Sequence, residues 1–131
     1  MQRNSRNKYY YFTVAIYKPN NVTIPQFILK PTSMLDIEMN FSFVNFESKP
    51  GMKFENYPKF HKEYLLKAFD ENSVYKLFKP RIIEQLMVMK PVYIESLENC
   101  IGIRDHIKYF HPKKIESYFN RIKEIIELFL K

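Results

Sequence analysis

The hydrophobic pattern of this chain changes period at one point, within residues 64–78 (YLLKAFDENSVYKLF). The residues before Asp70 form a mostly apolar run typical of a strand, whereas Val74, Leu77 and Phe78 recur three or four positions apart, as on one face of a helix. Asp70 has a suitable side chain for a helix N-cap, and a second acidic residue follows in the first turn, where the helix dipole favours an anion. The stretch therefore predicts a strand joined directly to a helix, and we interpret its acidic pair as structural rather than reactive.

Residues 92–106 (VYIESLENCIGIRDH) are typical of a β-hairpin. A two-residue turn at Glu98-Asn99 predicts four facing pairs: Ser96 with Ile101, Ile94 with Ile103, Tyr93 with Arg104, and Glu95 with Gly102. The first two pairs form an apolar face. We interpret the opposite face as exposed, with Tyr93 and Arg104 as a cross-strand pair that is a candidate partner contact.

The remaining segments complete the order of elements. Residues 9–17 and the run between Pro25 and Pro31 predict two strands, and residues 41–46 predict another. A helix beginning at Pro80 is either separate from the helix before it or continuous with it through a kink. A last helix begins near Pro112, and its apolar stripe comprises Ile115, Phe119, Ile122, Ile126 and Phe129.

Strands outnumber crossover helices in this order, so the fold class that we predict is α+β. The expected architecture is a mostly antiparallel sheet of about five strands with two or three helices packed on one face. A length of 131 residues is that of one domain. We assign residues 1–7 to a flexible basic tail and residues 8–131 to a single α+β domain.

The net charge of +7 is concentrated near the N-terminus. Residues 1–35 contain Arg3, Arg6, Lys8, Lys18 and Lys30 and no acidic residue. Positive charge of this kind attracts phosphates, anionic lipid headgroups or acidic protein surfaces. The first four of these residues are therefore candidate contacts for an anion or a partner.

Composition excludes several classes of protein. Two glycines are too few for the Gly-rich loops that hold nucleotide phosphates. A single cysteine, Cys100, cannot form an internal disulfide and favours a reducing compartment such as the cytoplasm. The N-terminal apolar run at residues 9–17 is far shorter than the roughly 20 residues of a membrane-spanning helix, so no membrane span is predicted.

The residues able to carry chemistry are few and scattered. His61, His106 and His111 are the complete set of histidines. The last two are five positions apart, a spacing that directs helical side chains away from each other, and His111 is better interpreted as a helix cap. Cys100 has no histidine beside it in the sequence to lower its pKa. We therefore predict no catalytic residue, no metal site, no cofactor and no enzymatic activity.

Three stretches, IPQFILKP, YLLKAFDENSVYKLF and VYIESLENCIGIR, together resemble an uncharacterised family of bacterial proteins. The matching positions are Pro25, Phe27, Leu29, Pro31, Tyr64, Asp70, Glu71, Val74, Leu77, Phe78, Glu95 and Arg104. Domains of this family often follow membrane-spanning helices or a further β-rich segment, and the resemblance implies no particular activity. This sequence has only a short polar leader before Tyr9, so we expect its first strand to lack a neighbour that longer relatives provide.

These observations lead to a functional prediction. An unpaired strand edge invites pairing with another copy or another protein. We predict a non-catalytic cytoplasmic domain that binds a protein partner or self-associates through an exposed strand edge. Binding to a partner would also hold this domain at the inner face of a membrane. The alternative is a nucleic-acid-binding accessory protein that uses the basic N-terminal segment. A hydrolytic or metal-dependent enzyme ranks last.

Overall fold

A five-stranded antiparallel sheet is the centre of the fold. The computed structural model describes residues 14–18, 23–34, 46, 49–97, 100–105 and 112–130. Its strands and α-helices are β1 (Val14–Tyr17), β2 (Phe27–Pro31), α1 (Phe60–Glu63), β3 (Tyr64–Ala68), α2 (Glu71–Leu77), α3 (Pro80–Val88), β4 (Val92–Leu97), β5 (Cys100–Asp105) and α4 (Ile115–Leu130). Short 3-10 helices cover Thr32–Met34 and Pro112–Lys114. The predicted α+β class is confirmed.

The order of strands across the sheet is β1-β5-β4-β2-β3. The hairpin of β4 and β5 has the predicted register, with Ser96 opposite Ile101 and Ile94 opposite Ile103. β2 lies between β4 and β3 and is antiparallel to both. After α3 the chain enters β4, which is the middle strand of the sheet and pairs with β5 on one side and with β2 on the other.

The strand-to-helix junction is also confirmed. β3 ends at Ala68, and the Asp70 carboxylate accepts hydrogen bonds from the backbone N–H of Ser73 at 3.2 Å and from the Ser73 hydroxyl at 2.6 Å. These bonds satisfy a donor that the first turn of a helix leaves open. α2 ends at Leu77, and α3 begins with Pro80 in its first turn. Of the two arrangements that the sequence allowed, the structure therefore has two separate helices.

The helices pack on one face of the sheet, as predicted. That face contributes Phe27, Leu29, Leu66, Ile94 and Ile103 to a core cluster that also contains apolar side chains of α1 to α4. Phe27 lies under the ends of two helices, with its ring 5.1 Å from that of Phe78 in an edge-to-face arrangement and 5.8 Å from that of Phe129. Pairs of aromatic rings at these distances add to the stabilisation from burial.

The predicted stripe of α4 is wrong in its first two turns. Ile115 and Phe119 are exposed, whereas Tyr118, Ile122 and Ile125 are buried. In this part of the helix, Arg121 Nη2 donates to the backbone oxygens of Lys90 at 2.8 Å and Pro91 at 3.3 Å, immediately before β4. The sequence period alone does not reveal these two bonds.

Several predicted features lie outside the described residues. They are the tail at residues 1–7, the first part of the predicted strand at 9–17, the strand at 41–46, the turn at Glu98-Asn99, and His106 and His111. Within the part of the chain that the structure covers, no helix combines the length and the hydrophobicity that crossing a bilayer requires.

Candidate interaction edge and buried polar cluster

The outer edge of β1 is the first candidate site. β1 pairs with β5 on one side and is the last strand of the sheet on the other, among the strands that the structure describes. Such a strand presents backbone N–H and C=O groups along its outer edge, which is the geometry that an added strand requires. The edge belongs to the segment in which the sequence contains basic residues and no acidic ones.

The side chains of β1 are more exposed than those of the other strands. Ile16 is 64% exposed and Tyr17 is 38% exposed, and Lys18 follows them at the surface. Ile16 pairs with Gly102, which has no side chain to cover it. Ala15 points to the opposite face and packs partly against the core. β1 is therefore held by its inner residues while presenting an apolar side chain and an aromatic ring to solvent.

The other edge of the sheet, at β3, is partly closed. The backbone N–H of Met52 donates to the Leu66 carbonyl oxygen at 2.8 Å. The backbone N–H of Tyr64 donates to the Phe60 carbonyl oxygen in the last turn of α1. Because these groups of β3 already have partners within the chain, the two edges of the sheet differ in their capacity to accept another strand.

A buried polar cluster occupies β4 and β5 on the face opposite the helices. Tyr93, Glu95 and Arg104 are each 1% exposed or less. The Tyr93 hydroxyl donates to Glu95 Oε1 at 3.0 Å, and the Arg104 guanidinium carbon lies 4.7 Å from the centre of the Tyr93 ring. The predicted pairing of Tyr93 with Arg104 is confirmed, but the interpretation of this pair as a surface contact is wrong.

Electrostatics within this cluster follow from its burial. Loss of water raises the pKa of the Tyr93 phenol, and the charge of Glu95 and its hydrogen bond raise it further. Burial lowers the pKa of the Arg104 guanidinium, while Tyr93 and Glu95 act in the opposite direction. A phenol that stays protonated and an arginine that stays charged give a fixed donor and a fixed cation. The cluster is suited to structure rather than to proton transfer.

The position of β4 explains why the sequence did not reveal this burial. β4 lies between β5 and β2, so neither of its edges is free. On its second face, Glu95 is paired with Ile28, which is itself buried. The strands of the hairpin contain Glu95, Arg104 and Asp105, a share of charged residues close to that of the whole chain, so their composition does not indicate burial on both faces.

The other candidate residues are placed only in part. Lys18 is exposed beside β1, and Arg3, Arg6 and Lys8 lie outside the described residues. Cys100 is a half-buried free thiol at the start of β5. The described ranges contain no group of three or more histidine, cysteine or carboxylate side chains able to hold a metal ion.

His61 has a definite role in the structure. Its Nε2 accepts a hydrogen bond from the backbone N–H of Phe54 at 2.6 Å, and its ring stacks on that of Phe54 at 5.8 Å and 9°. Burial, followed by the charge of Lys53, lowers the pKa of the His61 imidazole. The sequence offered no indication of this contact, because α1, which carries His61, follows a segment rich in proline and glycine.

A basic groove lies where α2, α3 and α4 meet. It has a volume of about 290 Å³ and is lined by Lys76, Lys79 and Arg81 beside the apolar side chains of Leu77 and Ile82. Three cations at one groove are able to contact phosphate groups.

No family model, no curated protein and no solved structure matches this chain. The geometry and the charge distribution are therefore the basis for inferring its function.

Proposed function

We propose that this protein is a non-catalytic interaction domain that binds an extended segment of another protein along the outer edge of β1. The observation that supports this proposal is the combination of a terminal strand with exposed Ile16 and Tyr17. Strand addition uses backbone hydrogen bonds for affinity and alternate side chains for specificity. Ile16 supplies an apolar contact on one face of the added strand.

The charge near β1 indicates the chemistry of the partner. Residues 1–35 carry five basic and no acidic side chains, and Lys18 directly follows β1. Pairing of β1 with β1 of a second copy would bring two such segments together, and like charges opposite each other are destabilising. An acidic, extended segment of another protein satisfies both the backbone groups and the charge. We therefore propose this partner rather than self-association.

A synthetic peptide of alternating valine and glutamate residues tests this proposal. Binding is followed from the backbone amide signals of the protein by NMR. We expect the largest shifts at Ala15, Ile16 and Tyr17, and a matched peptide with lysine in place of glutamate should bind much more weakly. Ile16→Glu should weaken binding at least tenfold, because it places a carboxylate against the glutamates of the peptide, whereas Val88→Glu, at a residue that is 78% exposed on α3, should not change it.

Two results would count against this assignment. Shifts that map to another surface, or that persist in Ile16→Glu, would remove β1 as the site. A particle of twice the 16.0 kDa mass in light scattering, lost in Ile16→Lys, would identify a second copy as the occupant instead of an acidic partner.

We also propose a cytoplasmic location, with a partner holding the protein at the inner face of a membrane. The single free thiol of Cys100 supports a reducing compartment. Cell fractionation tests this directly: we expect the protein in the cytosolic fraction or in a membrane fraction from which salt releases it.

Nucleic-acid binding is a second candidate function, and the basic groove favours it. Lys76, Lys79 and Arg81 add three cations to those of the N-terminal segment. Binding of this kind weakens steeply as salt increases and is insensitive to sequence. Titration with single-stranded and double-stranded oligonucleotides at two salt concentrations tests it. Joint replacement of Arg3, Arg6 and Lys8 by alanine should then weaken binding to every oligonucleotide alike, and salt-independent or absent binding would exclude this function.

A further inference from the structure

The segment before α1, residues 51–59, meets the outer edge of β3 at Gly51 and Met52, and we call it the strap. Its Met52 N–H donates to the Leu66 carbonyl oxygen at 2.8 Å. A Cβ atom at Gly51 would lie only 3.1 Å from Leu65 Cδ1, so the backbone of the strap passes close to β3. The Met52 side chain is buried in the core. The strap thus occupies a position that an added strand would need.

Three helices anchor the strap. From α1, His61 Nε2 accepts the Phe54 N–H at 2.6 Å. From α2, the Tyr75 hydroxyl donates to the Lys53 carbonyl oxygen at 3.0 Å. The Tyr57 hydroxyl of the strap donates to a Glu84 carboxylate oxygen of α3 at 2.9 Å. The His61 anchor is the one whose hydrogen bond depends on pH near neutrality.

The His61 anchor depends on its protonation state for a simple chemical reason. Nε2 accepts a hydrogen bond only through its lone pair, and the imidazolium form has none. Protonation would place an N–H against the N–H of Phe54 and break the contact. Among the charged groups of the strap and the helices it contacts, Lys53 acts on His61 directly, whereas Glu84 acts on Tyr57. A nearby lysine disfavours a second positive charge.

We propose that neutral His61 latches the strap over the edge of β3, and that protonation of His61 loosens the strap and opens this edge to an added strand. The inference concerns a different edge from β1 and stands without the function proposed above. The direction of the His61 pKa agrees with it, since burial and Lys53 lower the pKa below the ordinary value of 6.5 while the strap is closed.

The expected size follows from linkage between protonation and opening. In the open state His61 regains its ordinary pKa of 6.5, so at pH 5.5 it is mostly protonated there, whereas the lowered pKa of the closed state makes protonation less complete. The opening equilibrium should increase by up to about tenfold between pH 7.5 and pH 5.5. Below the lowered pKa of the closed state, the increase should level off.

Amide hydrogen exchange measured by NMR tests the latch. After correction for intrinsic exchange, the opening equilibrium measured at the Met52 and Phe54 amides should be up to about tenfold larger at pH 5.5 than at pH 7.5. The Ile83 amide, which donates to the Lys79 carbonyl oxygen in α3, serves as a reference that should not change. An equal increase at Ile83 would mean global destabilisation and would overturn the proposal.

His61→Gln is the matched variant, because its side-chain oxygen can accept the Phe54 N–H and does not titrate. We expect its exchange at Met52 and Phe54 to be independent of pH over the same range. Tyr75→Phe removes a different anchor, so it should speed exchange at both pH values and keep the pH dependence. Retention of the full pH dependence in a folded His61→Gln variant, or its loss in Tyr75→Phe, would contradict the assignment to His61.

The valine-glutamate peptide tests whether the opened edge accepts a strand. In the Ile16→Glu background, which weakens binding at β1, the peptide should shift the Leu66 and Ala68 amides at pH 5.5 but not at pH 7.5. His61→Gln in the same background should abolish this response. If the strap loosens at pH 5.5 and the peptide leaves these amides unchanged, the proposed opening of the edge to a strand is wrong.

Discussion

Replacement of Arg104 by alanine is the most informative single substitution in this fold. The guanidinium is 1% exposed, stacks on the Tyr93 ring at 4.7 Å and attracts the charge of Glu95. Truncation leaves a carboxylate in a site that water does not reach. If the hairpin instead presented this pair at the surface, as its sequence first suggested, the same change would cost little.

The two interpretations differ in magnitude. Removing one partner of a buried charged pair costs about 3–5 kcal/mol, because the remaining charge stays desolvated and unbalanced. A cross-strand pair at the surface contributes about 0.2–1 kcal/mol. Glu95→Gln in the Arg104→Ala background should recover part of the loss, since it removes the unbalanced charge. The double variant should therefore be less destabilised than the sum of the two single variants.

Urea unfolding followed by circular dichroism measures this difference. With a slope of about 2 kcal/mol per molar urea, a loss of 3–5 kcal/mol lowers the midpoint by about 2 M. Arg81→Ala is the matched control, because Arg81 is exposed and donates one 3.3 Å bond to the Leu128 carbonyl oxygen. Its cost should stay below about 1 kcal/mol. A loss under about 1 kcal/mol for Arg104→Ala, or additive effects in the double variant, would refute the buried cluster.

Two further predictions concern the helices. Leu86→Ala removes a fully buried side chain and should cost about 2–5 kcal/mol in urea unfolding, whereas Val88→Ala, at a residue 78% exposed, should change stability by about 0.5 kcal/mol or less. The Ser73 hydroxyl, followed by the Ser73 N–H, lowers the pKa of the Asp70 carboxyl below its ordinary 3.8, so this cap stabilises the fold above that pH and loses its effect as the pH falls through the lowered value. Asp70→Asn should therefore flatten the loss of stability in acid, and Asp70→Ala should be less stable than Asp70→Asn at pH 7.

The elements that the sequence predicted well depend on near neighbours in the chain. The cap at Asp70 needs only Ser73, three positions later, and the register of the hairpin follows from pairs within 92–105. Such contacts are encoded in hydrophobic period and turn chemistry. The strand order β1-β5-β4-β2-β3 depends instead on how distant segments meet, and no local pattern specifies it.

The candidate site shows the same difference between features set by near neighbours in the chain and features set by distant segments. That the first strand lacks a neighbour was an expectation that rested on the resemblance to longer relatives, and among the described strands β1 lies at one end of the sheet. The burial of Tyr93 and Arg104 was not expected, because it requires β2 beside β4 and a covered second face. The contact of His61 with Phe54 joins residues seven positions apart across an irregular segment, for which sequence patterns give no geometry.

The difference between the two edges has a consequence for assembly. Growth of an open filament needs two edges that each accept a strand, because every added chain must offer a free edge to the next. At β3, the strap lies beside the strand and α1 accepts a hydrogen bond from its first residue. At the other edge, β1 is the outermost described strand and its side chains are exposed. Filament growth by pairing of β1 with β3 of the next copy would therefore be blocked at neutral pH. As proposed, the latch keeps β3 closed, and β1, the last of the described strands on the other side, is the edge for the partner.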